Sequence, residues 1–401
     1  MSVVGIIAEY NPFHLGHKYQ IEKIREAFGA DTVIVAVMSG NFTQRGDMAI
    51  FDKATRAKAA VLSGIDLVLE LPFPFSMSSA EVFAKSGIKI LDSLGVVDYL
   101  SFGSECGSVE KLMRAADILK NEDISAKETH DSKGYAARAE ELFSKSGGEA
   151  DFFTSNNILG IEYIKALKSI DSKIIPTTIK RSGADYNDNE ICGTQFQSAM
   201  AIRTLISKKD KTALDFVPKE AADIYRAAID GGEAPTDSSR LDSAVISSLR
   251  LNLPMQGSEE IHDCGGGLYN RIRSESFLSN SIISLTERVK TKKYTTARIR
   301  RAIWFSYFGV TSSDIRTMPS YTQVLAMSTA GAALLKRIKK VSDFPILTKP
   351  SRTDGLNDCA TKAKHLLDGA DSVFQLSKPL GVRGDYGLLF TPFVKKEDFP
   401  R

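Results

Sequence analysis

The sequence predicts a doubly wound α/β domain, a Rossmann-like parallel sheet with helices on both faces, over residues 1–215. A mainly helical domain over residues 216–401 follows it. Three observations lead there. The first half carries five short, near-continuously apolar runs rich in β-branched residues, the pattern of strands buried on both faces. Amphipathic segments separate them, and strands alternating with helices imply right-handed crossovers and a parallel sheet. Beyond about Leu214 helical patterns dominate.

The predicted strands are VVGIIAE (Val3 to Glu9), TVIVAVM (Thr32 to Met38), IDLVLEL (Ile65 to Leu71), VDYLSFG (Val97 to Gly103) and KIIPTTI (Lys173 to Ile179). After the first, Ile21, Ile24 and Phe28 recur at helical spacing and Gly29 offers a stop. A second helix starts behind the capping candidate Asp52 and ends at Gly64. In the second half, KEAADIYRAAID and LDSAVISSLRLN read as helices, and EAPTDSSR (Glu233 to Arg240) as a linker. DCGGGLYN is a Gly-rich break before a basic segment near residue 290. MPSYTQVLAMSTAGAALLKRIKK and DFPILTK suggest a small mixed element toward the end.

With 401 residues, 43% hydrophobic and 25% charged, the composition is that of an ordinary globular protein with room for a substantial core. No apolar stretch approaches the roughly 18 residues of a membrane span, and the N-terminus lacks the features of a secretory signal. Cys106, Cys192, Cys264 and Cys359 lie far apart with no CxxC pair, which fits a reducing cytoplasm, the expected location. A net charge of +3 neither favours nor excludes a nucleic-acid partner.

Two of the five histidines, His14 and His17, flank Gly16 in NPFHLGH, the turn that leaves the first strand. In a doubly wound sheet ligands bind at the carboxyl ends of the strands, beside helix N-termini whose free amides favour phosphate. A spacing of three puts both imidazoles on one face of the first helical turn, where they supply donors to phosphoryl oxygens as charge builds in a nucleotidyl transfer. A metal pair would need a third ligand, and His130, His262 and His365 are remote in sequence. No G-x-x-x-x-G-K-[ST] and no G-x-G-x-x-G follows the strand, which argues against P-loop and dinucleotide sites.

HLGH resembles the H-x-G-H signature of the nucleotidyltransferase superfamily, whose two histidines contact ATP phosphates. FQSAMAIR (Phe196 to Arg203) resembles its companion I-S-S-T-x-I-R element, with Ser198 and Arg203 as counterparts and Gln197 and Ala199 as departures. The ordered segments IAEYNPFHLGHKYQ, MSGNFTQRGDMAIFDKATRA, GIDLVLELPFPFSMSSAE, SFGSE, SNNILGIEYIKAL, TTIKRSGADYND and KTKKYTTARIRRA resemble the tRNA(Met) cytidine acetate ligase family over most of the chain.

The resemblance implies a nucleotidyltransferase fold and an ATP-dependent ligase. Acetate is activated as acetyl-adenylate, with AMP and pyrophosphate as by-products, and the acetyl group passes to the wobble cytidine of elongator tRNA(Met), giving N(4)-acetylcytidine. It assigns catalysis to His14 and His17. It assigns ATP to Ile7, Ala8, Glu9, Tyr10, Asn11, Pro12, Phe13, His14, Leu15, Gly16, His17, Lys18, Tyr19 and Gln20, joined by Gly103, Asn157, Arg181, Ser198 and Arg203. Gly103 either lets the nucleotide approach the backbone or is a turn glycine, and Asn157 and Ser198 are either nucleotide contacts or helix caps. Arg181 can clamp a phosphate. The loop holding Ser39, Asn41, Gln44 and Arg45 either helps hold acetate or phosphate or is structural. Relatives tend to carry glycine and histidine at the positions of Asp185 and Asn187, so Asn187 receives no role. Magnesium is expected with ATP, without assigned ligands.

KTKKYTTARIRR (Lys290 to Arg301) holds six basic residues and no acidic one. With Ile299 and Ile303 turned to a core, Lys290, Lys292, Lys293, Arg298 and Arg301 suit an RNA backbone and Tyr294 a stacked base. Acetate and tRNA are thus the expected partners, with no membrane and no protein partner. The alternative is a small-molecule adenylyltransferase, which would need H-x-G-H but not the basic half.

Overall fold

The structure, a computed structural model, describes residues 1–120, 135–181, 197–251, 261–351, 353, 355–380, 384–385 and 390–395. His130, Asp185, Asn187, Cys192 and Phe196 lie outside them. The first strands and helices are β1 (Val3–Ala8), α1 (Leu15–Phe28), β2 (Val33–Ser39), α2 (Lys53–Leu62), β3 (Leu67–Leu71), α3 (Ala80–Ser93), β4 (Tyr99–Ser104) and α4 (Val109–Lys120). Then come α5 (Tyr135–Lys145), α6 (Ser155–Ser169), β5 (Ile175–Lys180), α7 (Ala199–Ser207) and α8 (Lys219–Asp230). The five strands fall where the apolar runs place them.

β1 to β5 are all parallel to their neighbours and stand in the order β5-β4-β1-β2-β3. Alternate residues feed two cores. Val3 and Ile7 join Val35, Val37 and Leu69 under α3, α4 and α6, while Val4 and Ile6 join Ile34, Ala36 and Val68 under α1, α2, α7 and α8. Helices on both faces are what buries both sides of β1 to β4. β5 departs from the expectation of a strand buried on both faces: it is the edge strand, its residues are half-buried at best, and Ile175 is 54% exposed. The order in which strands are added reverses between β1 and β4, which are themselves parallel, and the crevice at the carboxyl ends of those two strands is where such sheets bind ligands.

The second half runs through α9 (Asp242–Arg250), α10 (Leu268–Ser276), α11 (Ile282–Val289), α12 (Thr296–Phe308) and α13 (Ser312–Arg316). It ends with β6 (Thr322–Met327), α14 (Thr329–Val341), β7 (Ile346–Leu347), α15 (Asp358–Gln375) and β8 (Phe393–Val394). The mixed element expected toward the end does not stand apart. β6 pairs antiparallel with β3, and β7 and β8 pair with β6, so the tail of the chain extends the same sheet. The expected linker Glu233 to Arg240 is ordered, with a short 3-10 turn over Ser238–Leu241.

A buried ion cluster fastens this tail to α2 and β3. Lys53, on α2, lies 2.8 and 2.9 Å from the two Glu70 carboxylate oxygens of β3 and 2.5 Å from Asp371 of α15, all fully buried. Asn41 braces it by donating to Asp371 (2.8 Å) and accepting from the Lys53 amide (2.8 Å), and Gln323 of β6 donates to Glu70. Removing one partner of a buried pair strands the opposite charge, whereas neutralising all partners together removes that cost. Lys53→Met should therefore lower stability by about 3–5 kcal/mol in urea unfolding. Adding Glu70→Gln and Asp371→Asn to the same chain should recover most of the loss.

Candidate active site

The β1–α1 turn is built around its two histidines. His14, in extended conformation, is the N-cap of α1, and its Nδ1 accepts from the Gly16 amide at 3.0 Å. The His14 amide in turn donates to Nδ1 of His17 at 3.2 Å, closing a reciprocal capping box. The rings stack with centroids 3.9 Å apart. Gly16 is required by this arrangement, since a Cβ there would lie 2.8 Å from His14 Cε1 and 3.0 Å from Nδ1.

With both Nδ1 atoms acting as acceptors, the hydrogen-bond network assigns the ring proton of each neutral imidazole to Nε2. Burial, with the Arg181 and Arg203 charges adding to it, pulls His14 down to about 3. Burial, His14 and Arg181 hold His17 well below its ordinary value. At neutral pH the pair therefore offers two Nε2–H donors.

The rest of the turn is anchored from behind. Tyr10 and Phe13 are buried, with Tyr10 edge-on to Phe13 and to His17 at centroid distances of 4.9 and 4.8 Å. The Phe13 amide donates to the Tyr225 hydroxyl (2.9 Å), and Asn11 Oδ1 accepts from the Ile50 amide (2.9 Å). Of the remaining segment residues, Ile7 packs in the core, Lys18 donates to the Ser63 carbonyl (3.0 Å) and Gln20 to the Ser101 carbonyl (3.2 Å). The segment thus holds side chains that point in different directions.

Four of the five separate candidates gather at the same edge. Arg203 of α7 donates to the Asn11 carbonyl at 2.8 Å. Ser198 is the N-cap of that helix, accepting from the Ala201 amide at 3.1 Å. The Arg181 amide donates to the Ser104 carbonyl (3.0 Å), and its side chain lies across Gly103, where a Cβ would meet Arg181 Cγ at 3.2 Å. Gly103 thus makes room for the arginine stem.

Asn157 needs a correction as a cap: Thr154 is the N-cap of α6 and Asn157 lies inside the helix. Its Oδ1 accepts from the Glu105 and Cys106 amides (3.0 and 3.2 Å) and its Nδ2 donates to the Phe152 carbonyl (2.8 Å). The buried side chain therefore shapes the turn after β4. Glu105 answers from the other side, its carboxylate accepting from the Asn157 amide (2.9 Å) and Thr154 hydroxyl (2.7 Å). These donors outweigh burial and hold it below the ordinary carboxylate value.

Sequence reasoning missed one scaffold residue, which in turn holds the carbonyl of Glu9. Arg56 is fully buried and donates to the carbonyls of Phe51 (2.9 Å), Glu9 (2.5 Å) and Ser39 (3.2 Å). Glu9 accepts from the Gln44 amide at 2.8 Å, and burial raises its pKa against that bond and the Arg203 and Arg45 charges. The available signal for Arg56 was a second cation, one turn after Lys53, on the face of α2 that also carries Ala57, Ala60 and Val61.

The basic segment divides in two. Lys290, Lys292 and Lys293 are exposed and Arg298 is half-buried, donating to the Asp263 carbonyl at 3.2 Å. Ile299 and Ile303 face the core as expected. Tyr294 and Arg301 do not suit open RNA contact. Tyr294 is 6% exposed with its hydroxyl on the Gly266 carbonyl (2.5 Å), and Arg301 is 6% exposed and paired with Asp263 at 2.6 Å.

The sequence matches the HIGH Nucleotidyl Transferase family over residues 1–380. It is 39% identical to the tRNA(Met) cytidine acetate ligase of Acetivibrio thermocellus over 388 residues, 92% of each chain. The chain belongs to the tRNA(Met) cytidine acetate ligase family. A second relative of that name, from Caldanaerobacter subterraneus, is 41% identical over 361 residues, covering 87% of this chain and 89% of the relative. Among solved structures, Thermotoga maritima TmcAL bound with alpha-thio ATP superposes with a TM-score of 0.87 at 31% identity, over 99% of this chain and 100% of that one. Its apo form gives 0.90 at 32% identity with the same coverage. The family's doubly wound nucleotidyltransferase fold is thus present. Among the described residues, no helix is long and apolar enough to cross a membrane.

The depressed histidines carry a linkage. Their folded pKa values lie below the unfolded value of about 6.5, so below that pH the unfolded chain binds protons that the folded chain refuses. Stability is full above this value and falls as pH drops toward the folded values, by up to about 1.4 kcal/mol per pH unit for each histidine. Urea unfolding at pH 7.5 and 5.5 should show a smaller loss for His14→Asn/His17→Gln than for the parent.

Proposed function

We propose that the protein activates acetate with ATP and acetylates the wobble cytidine of elongator tRNA(Met). ATP lies over the N-terminus of α1 at the β1/β4 crevice, its phosphates meeting the Nε2–H groups of His14 and His17. Arg181 and Arg203 supply fixed positive charge beside them. An acetate oxygen attacks the α-phosphorus, the bond to the bridging oxygen breaks, and pyrophosphate leaves. The two imidazole donors follow the charge that develops on the phosphoryl oxygens, a stabilisation that needs no rearrangement because their Nδ1 atoms are already tied down. In the second step the cytidine amine attacks the acetyl carbonyl, AMP leaves, and one proton is released.

The observation that carries this reading is the capping-box histidine pair at the sheet's switch point, in a chain about two-fifths identical to ligases of that name. Residues 1–215 would hold the adenylation site and residues 216–401 the tRNA surface, with Lys290, Lys292, Lys293 and Arg298 meeting phosphates. Among the described residues, no group of three His, Cys, Asp or Glu side chains could hold a metal ion. Magnesium is therefore taken to arrive on the ATP oxygens rather than in a protein cage.

Incubation with labelled acetate, ATP and elongator tRNA(Met), followed by nucleoside chromatography, tests the reading. Label in N(4)-acetylcytidine is expected, and ATP turnover without labelled tRNA would overturn it. His14→Ala should lower the adenylation rate by about 10²–10³, the usual effect of losing one transition-state donor. Lys290→Ala/Lys292→Ala should instead weaken tRNA binding and reduce the slope of log K against log salt by roughly one for each phosphate no longer neutralised.

A further inference from the structure

Arg301 belongs to the basic run, yet its guanidinium is spent inside the protein. Nε donates to Asp263 Oδ2 at 2.6 Å and Nη1 to the Gln44 carbonyl at 3.3 Å. Asp263 is only partly buried, and although desolvation pushes it up, the Arg301 charge, joined by His262, outweighs this and keeps its carboxyl below the ordinary range. The peptide chain at Gln44 then faces the other way: its amide donates to Glu9 Oε1 at 2.8 Å. A continuous line of polar contacts thus runs from Asp263 through Arg301 and Gln44 to Glu9, the residue that follows β1 and opens the histidine turn.

The loop around Gln44 is seated on α12 by more than this line. Gly46 has φ of 77°, and a Cβ there would lie 2.7 Å from the Arg301 amide nitrogen and 2.7 Å from Arg300 Cβ. Arg300 pairs with Asp47 at 2.6 Å. The loop itself is closed, with the Thr43 amide donating to the Asp47 carbonyl and the Gly46 amide to the Thr43 carbonyl, both at 2.9 Å. Its tip is therefore a small rigid piece whose position is set by α12, and Arg45 beside it donates to Ser155 at the start of α6 (3.2 Å).

The geometry points to Arg301 as a positioning residue for acetate activation: acting through the Gln44 peptide, it holds Glu9 and the 43–47 loop at the head of the histidine turn. This rests on the reading of that turn as the ATP site. A residue that reads as an RNA contact then serves the half-reaction that precedes RNA. Buried, paired charge is costly to leave half-made, so loss of the guanidinium releases both the Asp263 carboxylate and the Gln44 carbonyl.

The test is acetate-dependent exchange of labelled pyrophosphate into ATP without tRNA, measured beside tRNA binding for the parent, Arg301→Ala and Asp263→Asn. Arg301→Ala is expected to lower the exchange kcat tenfold or more, with the ATP KM within threefold and the tRNA Kd within twofold of the parent. Asp263→Asn, which keeps the side-chain shape, should give the same pattern at threefold or more, and it decides the matter if Arg301→Ala does not fold. Parent-level exchange with a tRNA Kd raised tenfold would overturn the proposal and return Arg301 to the RNA surface. Parallel loss of exchange, ATP binding and tRNA binding in both variants would overturn it as well, by showing general damage. A parent with no acetate-dependent exchange would overturn the ATP reading, and this assignment with it.

Discussion

Everything at the candidate site depends on how the first helix begins. The four amides of an α-helix N-terminus lack partners within the helix, and here two imidazole nitrogens answer the need, one accepting from Gly16 and one from the cap residue itself. Serine or aspartate could cap the helix equally well. Histidine does more, because an imidazole whose Nδ1 is used as a cap has a second nitrogen, and its proton, pointing elsewhere. In the proposed reaction, capping and catalysis are thereby the same contact seen from two sides. The turn's other features serve it: Gly16 leaves room for the folded ring, and Tyr10 and Phe13 bury the turn's apolar side.

The electrostatic setting follows from the same geometry. Arg181 leaves the end of β5 and Arg203 sits on α7, so the crevice collects cations from elements far in sequence from the histidine turn. Burial first, joined by the Arg181 charge at both rings and the Arg203 charge at His14, keeps both histidines neutral. Neutral donors and fixed guanidinium charge suit a polyphosphate, whose own charge would otherwise be partnered only by water. The second half of the chain is not a bystander. Through β6 on β3, through Asp371 on Lys53 and through α12 on the Gln44 loop, it packs against the elements that carry the candidate site.

Much of this was legible in the sequence because it is local. Strands buried on both faces need unbroken β-branched runs, and a helix that starts at a strand end needs a cap and a glycine, so β1 to β5 and the histidine turn can be read directly. What could not be read depends on partners far along the chain. β6 reads as a fragment of a small element, since nothing near Thr322 reveals that its partner is β3, some 250 residues earlier. Tyr294 and Arg301 look like a surface because the Gly266 carbonyl, Asp263 and the Gln44 carbonyl that absorb them are invisible locally. Asn157 resembles a cap, but Glu105 from the neighbouring strand end already serves that helix start.

The most direct test of the account is the protonation of the two imidazoles, observed by long-range nitrogen–proton NMR on selectively labelled histidine at pH 7. Both His14 and His17 should be neutral with the proton on Nε2, and both Nε2–H signals should move when an unreactive ATP analogue is added. A proton on Nδ1 of either ring, a charged ring in the free protein, or Nε2–H signals indifferent to the nucleotide would contradict it.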